Sequence, residues 1–449
     1  MTSRAVEFES SLQTRTAWQS RISISSLCLL LFCAAFLAYA YSTRGLLDWM
    51  GIPSGAETLQ VARAIATTGS YADPFGSAQA HSGYTAHLAP VYPALLALLF
   101  RGLGYGLASL TLLWVVNLTF IAVQMAILPL LSLRLGLGVL PGVLGAFLGI
   151  LLPHYTVDFA WESLLVGMEL AILCLFTSKI LNAPHSVWMA SLLGVLWAIA
   201  MLTNPVTVLV LAVWVLAFSL SQRPGGRRAM ITNCATILAV AALVCAPWII
   251  RNKIRLGGFF LIRDNLGLEL SVSNNDCASA TLLDNLDSGC QRIVHPSRNY
   301  EITAQIARMG EYQFNQMQLH QALVWIAGHP KRFALLTAQR FTLFWFPVRG
   351  LAPFRRYPSV VWITTLFSFI GIVRLWQRNR QAAWLLGGAM LVYPVIYYIV
   401  QFEPRYRDPI LWISLLLAGY GLKEILLQIT FCRKLLQPPV ADRSRSSMA

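Results

Sequence analysis

A small set of acids, arginines and tyrosines has the chemistry to act on a substrate, and their positions are clustered. Glu57 and Glu162 each stand at the start of an apolar stretch, Glu162 within Trp161-Glu162-Ser163. A carboxylate so placed can take a proton from a hydroxyl or share a divalent cation such as Mg or Mn. Each has a plainer reading. Ser54-Gly55-Ala56-Glu57 fits the S-x-x-E capping box, and an acid at the Glu162 position also complements a helix dipole. Glu169, one heptad beyond Glu162 within an apolar run, is expected to be paired internally.

Two further groups offer cations. One is the long polar stretch from Arg251 to His329, with Arg263, Asn265, Glu269, His295 and Glu311. The other is Phe402 to Pro409, with Arg405, Tyr406 and Arg407. A guanidinium fork matches the oxygens of a phosphate, so these residues are candidates for holding a phosphorylated donor. An interfacial belt of aromatic and basic side chains is the alternative for Arg405 to Arg407. Tyr84, His87 and Tyr92 add polar groups to the stretch that carries Glu57. Cys277 and Cys290 fall in the long polar stretch, and if it faces an oxidising compartment they close a short disulfide loop. The other six cysteines lie in or beside apolar segments without metal-ligand spacing and read as small core residues.

The elements that must position these groups are membrane helices. Hydrophobic residues make up 57% of the 449 and charged residues only 12%, with a mean hydropathy of +0.60. That composition lies outside the soluble globular range. The net charge of +15 is concentrated in short loops between apolar runs, which is the positive-inside pattern. It lacks the basic face interleaved with aromatics that nucleic acid requires, so membrane lipids and not nucleic acid are the expected surroundings. No Walker loop, zinc signature, nucleophile elbow or dinucleotide fingerprint is present.

The pattern predicts an all-α polytopic protein of about ten transmembrane helices with both termini cytoplasmic. A tail over 1–21 precedes an N-terminal membrane module over 22–250, with outer loops at 42–106 and 153–162. The first apolar run, from about Ile22, also admits a signal-peptide reading at Ala38-Tyr39-Ala40. An extracytoplasmic region over 251–357 follows, then C-terminal helices over 358–428 and a tail over 429–449. Leu88 to Leu99 and Phe333 to Phe346 are too short to span, the latter interrupted by Arg340, and read as interfacial helices. Asn204-Pro205 splits the run Val187 to Leu220 into two helices. On this topology Arg251, Lys253, Arg255, Arg263, Arg349, Arg355, Arg356, Arg405 and Arg407 fall on the outer side, where they can line a site for an anionic group.

The chain resembles the GT-C class of polytopic glycosyltransferases that use lipid-linked sugars, in particular bacterial members similar to glycosyltransferase family 39. The pieces that carry the resemblance include Ala56-Glu57, Gly69 to Phe75, Tyr84 to Pro93, Trp161-Glu162, Thr203-Asn204-Pro205 and Pro247-Trp248. Arg251-Asn252, Arg263 to Glu269, His295-Pro296, Met309 to Glu311 and Tyr406 to Pro409 complete the order. The resemblance implies inverting transfer of a sugar from a polyprenyl-phosphate donor to a hydroxyl of a lipid, glycan or protein acceptor. It implies a site on the extracytoplasmic face of the inner membrane, with Glu57 as general base and Glu162 assisting. Where many members carry a second acid this chain has Ala56. Two rivals remain open from the residues alone: a lipid-sugar transporter or flippase, and a non-catalytic envelope assembly protein.

Overall fold

The computed structural model describes residues 23–49, 56–76, 81–151, 160–182, 186–219, 226–348 and 358–428. Ser54, His154, Asp158, Arg349, Arg355, Arg356 and both expected tails lie outside them. The helices in chain order are α1 (Ile24–Trp49), α2 (Glu57–Thr68), α3 (Val91–Leu103), α4 (Leu107–Arg134), α5 (Leu140–Ile150) and α6 (Ser163–Asn182). Next come α7 (Val187–Thr203), α8 (Thr207–Ser219), α9 (Gly226–Leu256), α10 (Leu266–Ser273), α11 (Leu282–Asp287) and α12 (Cys290–Val294). The series ends with α13 (Tyr300–Met309), α14 (Glu311–Gly328), α15 (Pro330–Trp345), α16 (Pro358–Arg378), α17 (Arg380–Val392) and α18 (Asp408–Leu426). Two 3-10 segments, Tyr393–Tyr398 and Pro404–Arg407, lie between α17 and α18. Among the described residues the extended pairing is limited to two isolated bridges, Ala72 with Tyr84 and Thr281 with Phe402.

Among the described residues five helices are long and apolar enough to cross a membrane, lying over Ile24–Arg44, Leu107–Arg134, Arg228–Leu256, Ser359–Arg378 and Pro404–Leu426. The chain is a multi-pass membrane protein, and α18 is its axis. Within the apolar windows, 78% of the α18 segment is buried inside the protein against 11% for α1. Small residues make that central position attainable, since lipid tails provide no hydrophobic drive and close backbone approach must supply the contact. A Cβ on Gly371 of α16 would lie 2.0 Å from the Leu417 carbonyl oxygen, and one on Gly419 would lie 2.1 Å from that of Pro141. Either substitution forces two helices apart.

The break at Asn204-Pro205 occurs where expected. Asn204 is extended, and its Oδ1 accepts the amide of Val206 across the turn between α7 and α8. The short helix expected over Phe333 to Phe346 forms as α15, which runs through Arg340. Its fully buried guanidinium donates to the carbonyls of Ser273 and Ile399 and to Oδ1 of Asn274, bolting α15 onto α10 and the 3-10 segment after α17.

Outside the main core, Leu59, Tyr92, Leu96 and Leu113 join α2 and α3 to the start of α4. Phe75, Leu268, Val272, Ile306 and Phe314 seat the first loop on α10, α13 and α14. These two clusters bring Glu57 and the polar stretch together.

Candidate active site

Glu57 is the first residue of α2, and Ala56 is the N-cap, with no side-chain cap bond. The capping-box reading placed Glu57 at the third helical position, so the carboxylate does not serve that motif. It is buried instead, in the wall of a cavity of about 590 Å³. Burial pushes its pKa up to about 7, opposed by its own backbone hydrogen bond and reinforced by the charge of Glu269.

Glu162 lines the same cavity from the residue before α6. Its Oε1 accepts from Nδ2 of Asn204 at 3.3 Å and lies 3.5 Å from Nη1 of Arg263. The turn that separates α7 from α8 thus also supplies a polar contact to a cavity acid. Arg263 has a second duty, since its Nε donates to the His87 carbonyl at 2.8 Å. Glu269, in the first turn of α10, accepts from Asn265 at 3.3 Å, and burial raises its pKa.

The opposite wall is a stack. The Arg405 guanidinium lies 3.6 Å from the centre of the Trp161 ring and 5.2 Å from that of Tyr406. Tyr406 stacks on Tyr397 at 4.3 Å, and Tyr397 packs against Tyr393 at 5.6 Å. All five side chains line the cavity. Glu403 pairs with Arg405 along the edge of the fork. Cation-π contact with Trp161 and Tyr406 holds the guanidinium in place.

His295 stands after α12, its Nε2 4.0 Å from Oε1 of Glu57. Its Nδ1 faces the backbone N–H of Ser297 at 3.2 Å and the Ser297 hydroxyl at 2.7 Å. Burial lowers its pKa to about 4, so the ring is neutral. His87 is likewise buried in the cavity wall and held neutral by burial. Phe75 presents its ring to both histidines, 4.9 Å from His87 and 5.9 Å from His295.

Of the residues singled out by sequence, Glu57, Glu162, Arg263, Asn265, Glu269, His87, His295, Arg405 and Tyr406 line one cavity. The others are placed elsewhere. Arg407 is buried beneath it, donating to the carbonyls of Phe344 and Trp345 and to Thr365 Oγ1, and so does not face a donor phosphate. Glu311 is buried too. Its carboxylate takes the Ala86 amide at 2.6 Å and the Thr85 hydroxyl, anchoring the first loop at the start of α14, and burial pushes its pKa up to about 8. Tyr84 is exposed, its hydroxyl accepting from Arg255 at 3.3 Å. Tyr92 is buried against Asn117 of α4. Arg251 spends its fork on the carbonyls of Thr85 and Tyr71.

Cys277 and Cys290 form a disulfide with their Cα atoms 5.6 Å apart. The cavity also takes Gln291, Ser297, Arg298, Tyr393 and Tyr397, none of which was singled out in the sequence, and Glu403. The run Tyr393-Pro394-Val-Ile-Tyr397 held a signal for two of them: a proline start and two tyrosines one turn apart.

Among the described residues the donor set does not fit a divalent ion. Among the described residues no group of three His, Cys, Asp or Glu side chains is placed to hold one. The Ser297 amide occupies Nδ1 of His295 and leaves the ring proton on Nε2, the atom that would have to offer a lone pair. Glu162 is engaged by Asn204 and Arg263.

No protein-family model and no curated protein matches the sequence. Solved structures do. The oligosaccharyltransferase AglB of Archaeoglobus fulgidus, in complex with an inhibitory peptide and a dolichol-phosphate, superposes with a TM-score of 0.54 at 14% identity, over 93% of this chain and 52% of that one. The two share a fold over that half of the oligosaccharyltransferase. A second structure from that organism, tethered to an acceptor peptide, gives 0.53 at 14% identity over 92% and 50%, and a third, with Zn and sulfate, gives 0.53 at 13% over 90% and 50%. This chain therefore spans about half the length of the oligosaccharyltransferases it matches. Oligosaccharyltransferases are GT-C-type glycosyltransferases, so the all-helical, GT-C-like part of the expected architecture is found, while five of the about ten membrane spans expected are present among the described residues.

Proposed function

We propose that this chain is an integral membrane glycosyltransferase, similar to family 39, that moves a sugar from a polyprenyl-phosphate donor to an acceptor hydroxyl with inversion. The single observation that carries the reading is the convergence of Glu57 and Glu162 with Arg263 and Arg405 on one cavity.

Glu57 is the general base. With a pKa of about 7 it is partly ionised at neutral pH and basic enough to accept a proton as the hydroxyl attacks. The acceptor oxygen attacks the anomeric carbon from the side opposite the phosphate, the anomeric C–O bond breaks, and the hydroxyl proton passes to Glu57. The departing polyprenyl phosphate takes the bonding electrons, and its charge is met by Arg405, Arg263 and Arg298, which line the cavity. Arg407 has no part in this step, because its guanidinium is committed to the core. Glu162 orients the acceptor, and the Tyr393-Tyr397-Tyr406 stack with Trp161 offers ring faces to the sugar. The disulfide suits an oxidising compartment, which supports an extracytoplasmic site.

The test is turnover of a panel of radiolabelled polyprenyl-phosphate sugars by purified wild type and Glu57→Gln in lipid, with and without divalent metal. The expected result is a donor that binds both proteins and is transferred only by wild type, Glu57→Gln falling by about 10²–10⁴-fold. Equal transfer by both proteins refutes the base. No binding to either refutes the lipid-sugar donor.

A further inference from the structure

The neighbour of Glu57 has a proton whose place the geometry fixes. An amide N–H only donates, so the Ser297 amide at 3.2 Å makes Nδ1 of His295 the lone-pair nitrogen. In a neutral ring the one proton then sits on Nε2. Phe75 packs against the ring at 5.9 Å, and Nε2 is 4.0 Å from Oε1 of Glu57. That separation is long for a direct hydrogen bond. Contacts of this kind tighten when a site is loaded.

We propose that His295 is a positioning residue for Glu57: the Ser297 amide holds its imidazole as the Nε2–H tautomer, which donates to Oε1 and leaves Oε2 to take the acceptor's proton. This rests on the reading of Glu57 as the base. His295 keeps its proton throughout, and the acceptor's proton goes to Glu57. The Nε2–H donor thereby supplies, without a metal, the contact that orients the base.

The sign of the effect follows. A neutral donor favours the carboxylate over the acid, working against burial and against the charges of Glu269 and Glu403, with Arg405 on its own side. Burial and the charge of Arg298 disfavour a charged ring at His295, which keeps it a neutral donor. Removing the donor must raise the pKa of Glu57.

The test is an infrared titration of the Glu57 carboxyl, isolated by difference against Glu57→Gln, in wild type, His295→Leu and His295→Gln, alongside the pH profile of kcat/KM. The glutamine amide can place an N–H donor where Nε2 of the imidazole lies. His295→Leu is expected to move the midpoint up by roughly one pH unit, and His295→Gln to restore it. The inference is overturned if His295→Leu titrates with wild type, or if His295→Gln follows His295→Leu. The infrared reading needs no turnover, so absence of transferase activity would refute the functional reading without deciding this one.

Discussion

The guanidinium of Arg263 stands 3.5 Å from the Glu162 carboxylate while its Nε donates to the His87 carbonyl at 2.8 Å. One side chain thus ties the start of α6 to the first loop. A planar fork can hold two such partners at fixed angles, whereas an ammonium cannot. Arg263→Lys is expected to leave the fold intact and to lower transfer by about 10–100-fold, mainly in kcat, through misplacement of the reacting groups. Steady-state kinetics with wild-type kcat for Arg263→Lys would remove Arg263 from the positioning machinery.

Glu57 couples stability and activity in opposite directions. Its folded pKa of about 7 exceeds the ordinary 4.5, so across that window the folded state holds a proton that the unfolded state has released. Stability is therefore full at low pH, falls as pH rises between the two values, and is flat above them. Glu311 at about 8 and Asp264 at about 7 act in the same sense. Turnover, which needs the carboxylate, rises over the window where stability falls. Glu57→Gln is expected to match wild type at pH 5 and to be more stable at pH 8, by at most about 3 kcal/mol. Thermal midpoints in detergent at the two pH values check this, and an unchanged difference between them would show that the wild-type charge is not buried.

The helices were legible because apolar length and the Asn204-Pro205 break follow from local rules, and most of the cavity wall was legible because acids and arginines are rare in such a chain. The division of labour within the arginines was not. Arg405 and Arg407 are two residues apart and identical in chemistry, yet the 3-10 turn sends one into the cavity and the other onto the carbonyls of Phe344 and Trp345. Glu311 was misread, and the bonds of Arg340 went unread, for the same reason. Each meets its partners across long sequence separations, Thr85 and Ala86 for one, Ser273 and Ile399 for the other. No local pattern encodes such contacts. The cavity tyrosines 393 and 397 were hidden inside what read as one apolar span.

That division is testable. Arg407→Lys leaves carbonyl oxygens and Thr365 without the full fork in a buried setting, where lost partners cost about 1–3 kcal/mol. Its expected effect is a lower thermal midpoint with turnover per folded molecule retained. Arg405→Lys is expected to do the reverse: a midpoint near wild type, with weakened donor binding because a lysine cannot lie flat against Trp161 and Tyr406. Melting curves paired with donor titrations separate the two, and a shared phenotype would refute the assignment.

The disulfide carries part of the cavity wall. Cys277 and Cys290 are 13 residues apart, and the loop they close contains α11, whose Leu282 and Leu286 line the cavity, with Gln291 immediately beyond. Opening the loop frees the unfolded chain, an effect of about 2–3 kcal/mol for a loop of this size. It also loosens the wall in the folded state. Replacing both cysteines with serine is therefore expected to lower the thermal midpoint and to raise KM for the donor more than it lowers kcat, since Glu57 is anchored separately through α2. The same variant reports on the compartment. If the loop faces an oxidising space, the wild-type pair resists alkylation in intact cells until reductant is added, and then reacts with a membrane-impermeant maleimide. Labelling without reductant by a permeant maleimide, with none by the impermeant one, would place the thiols in a reducing compartment and the cavity with them.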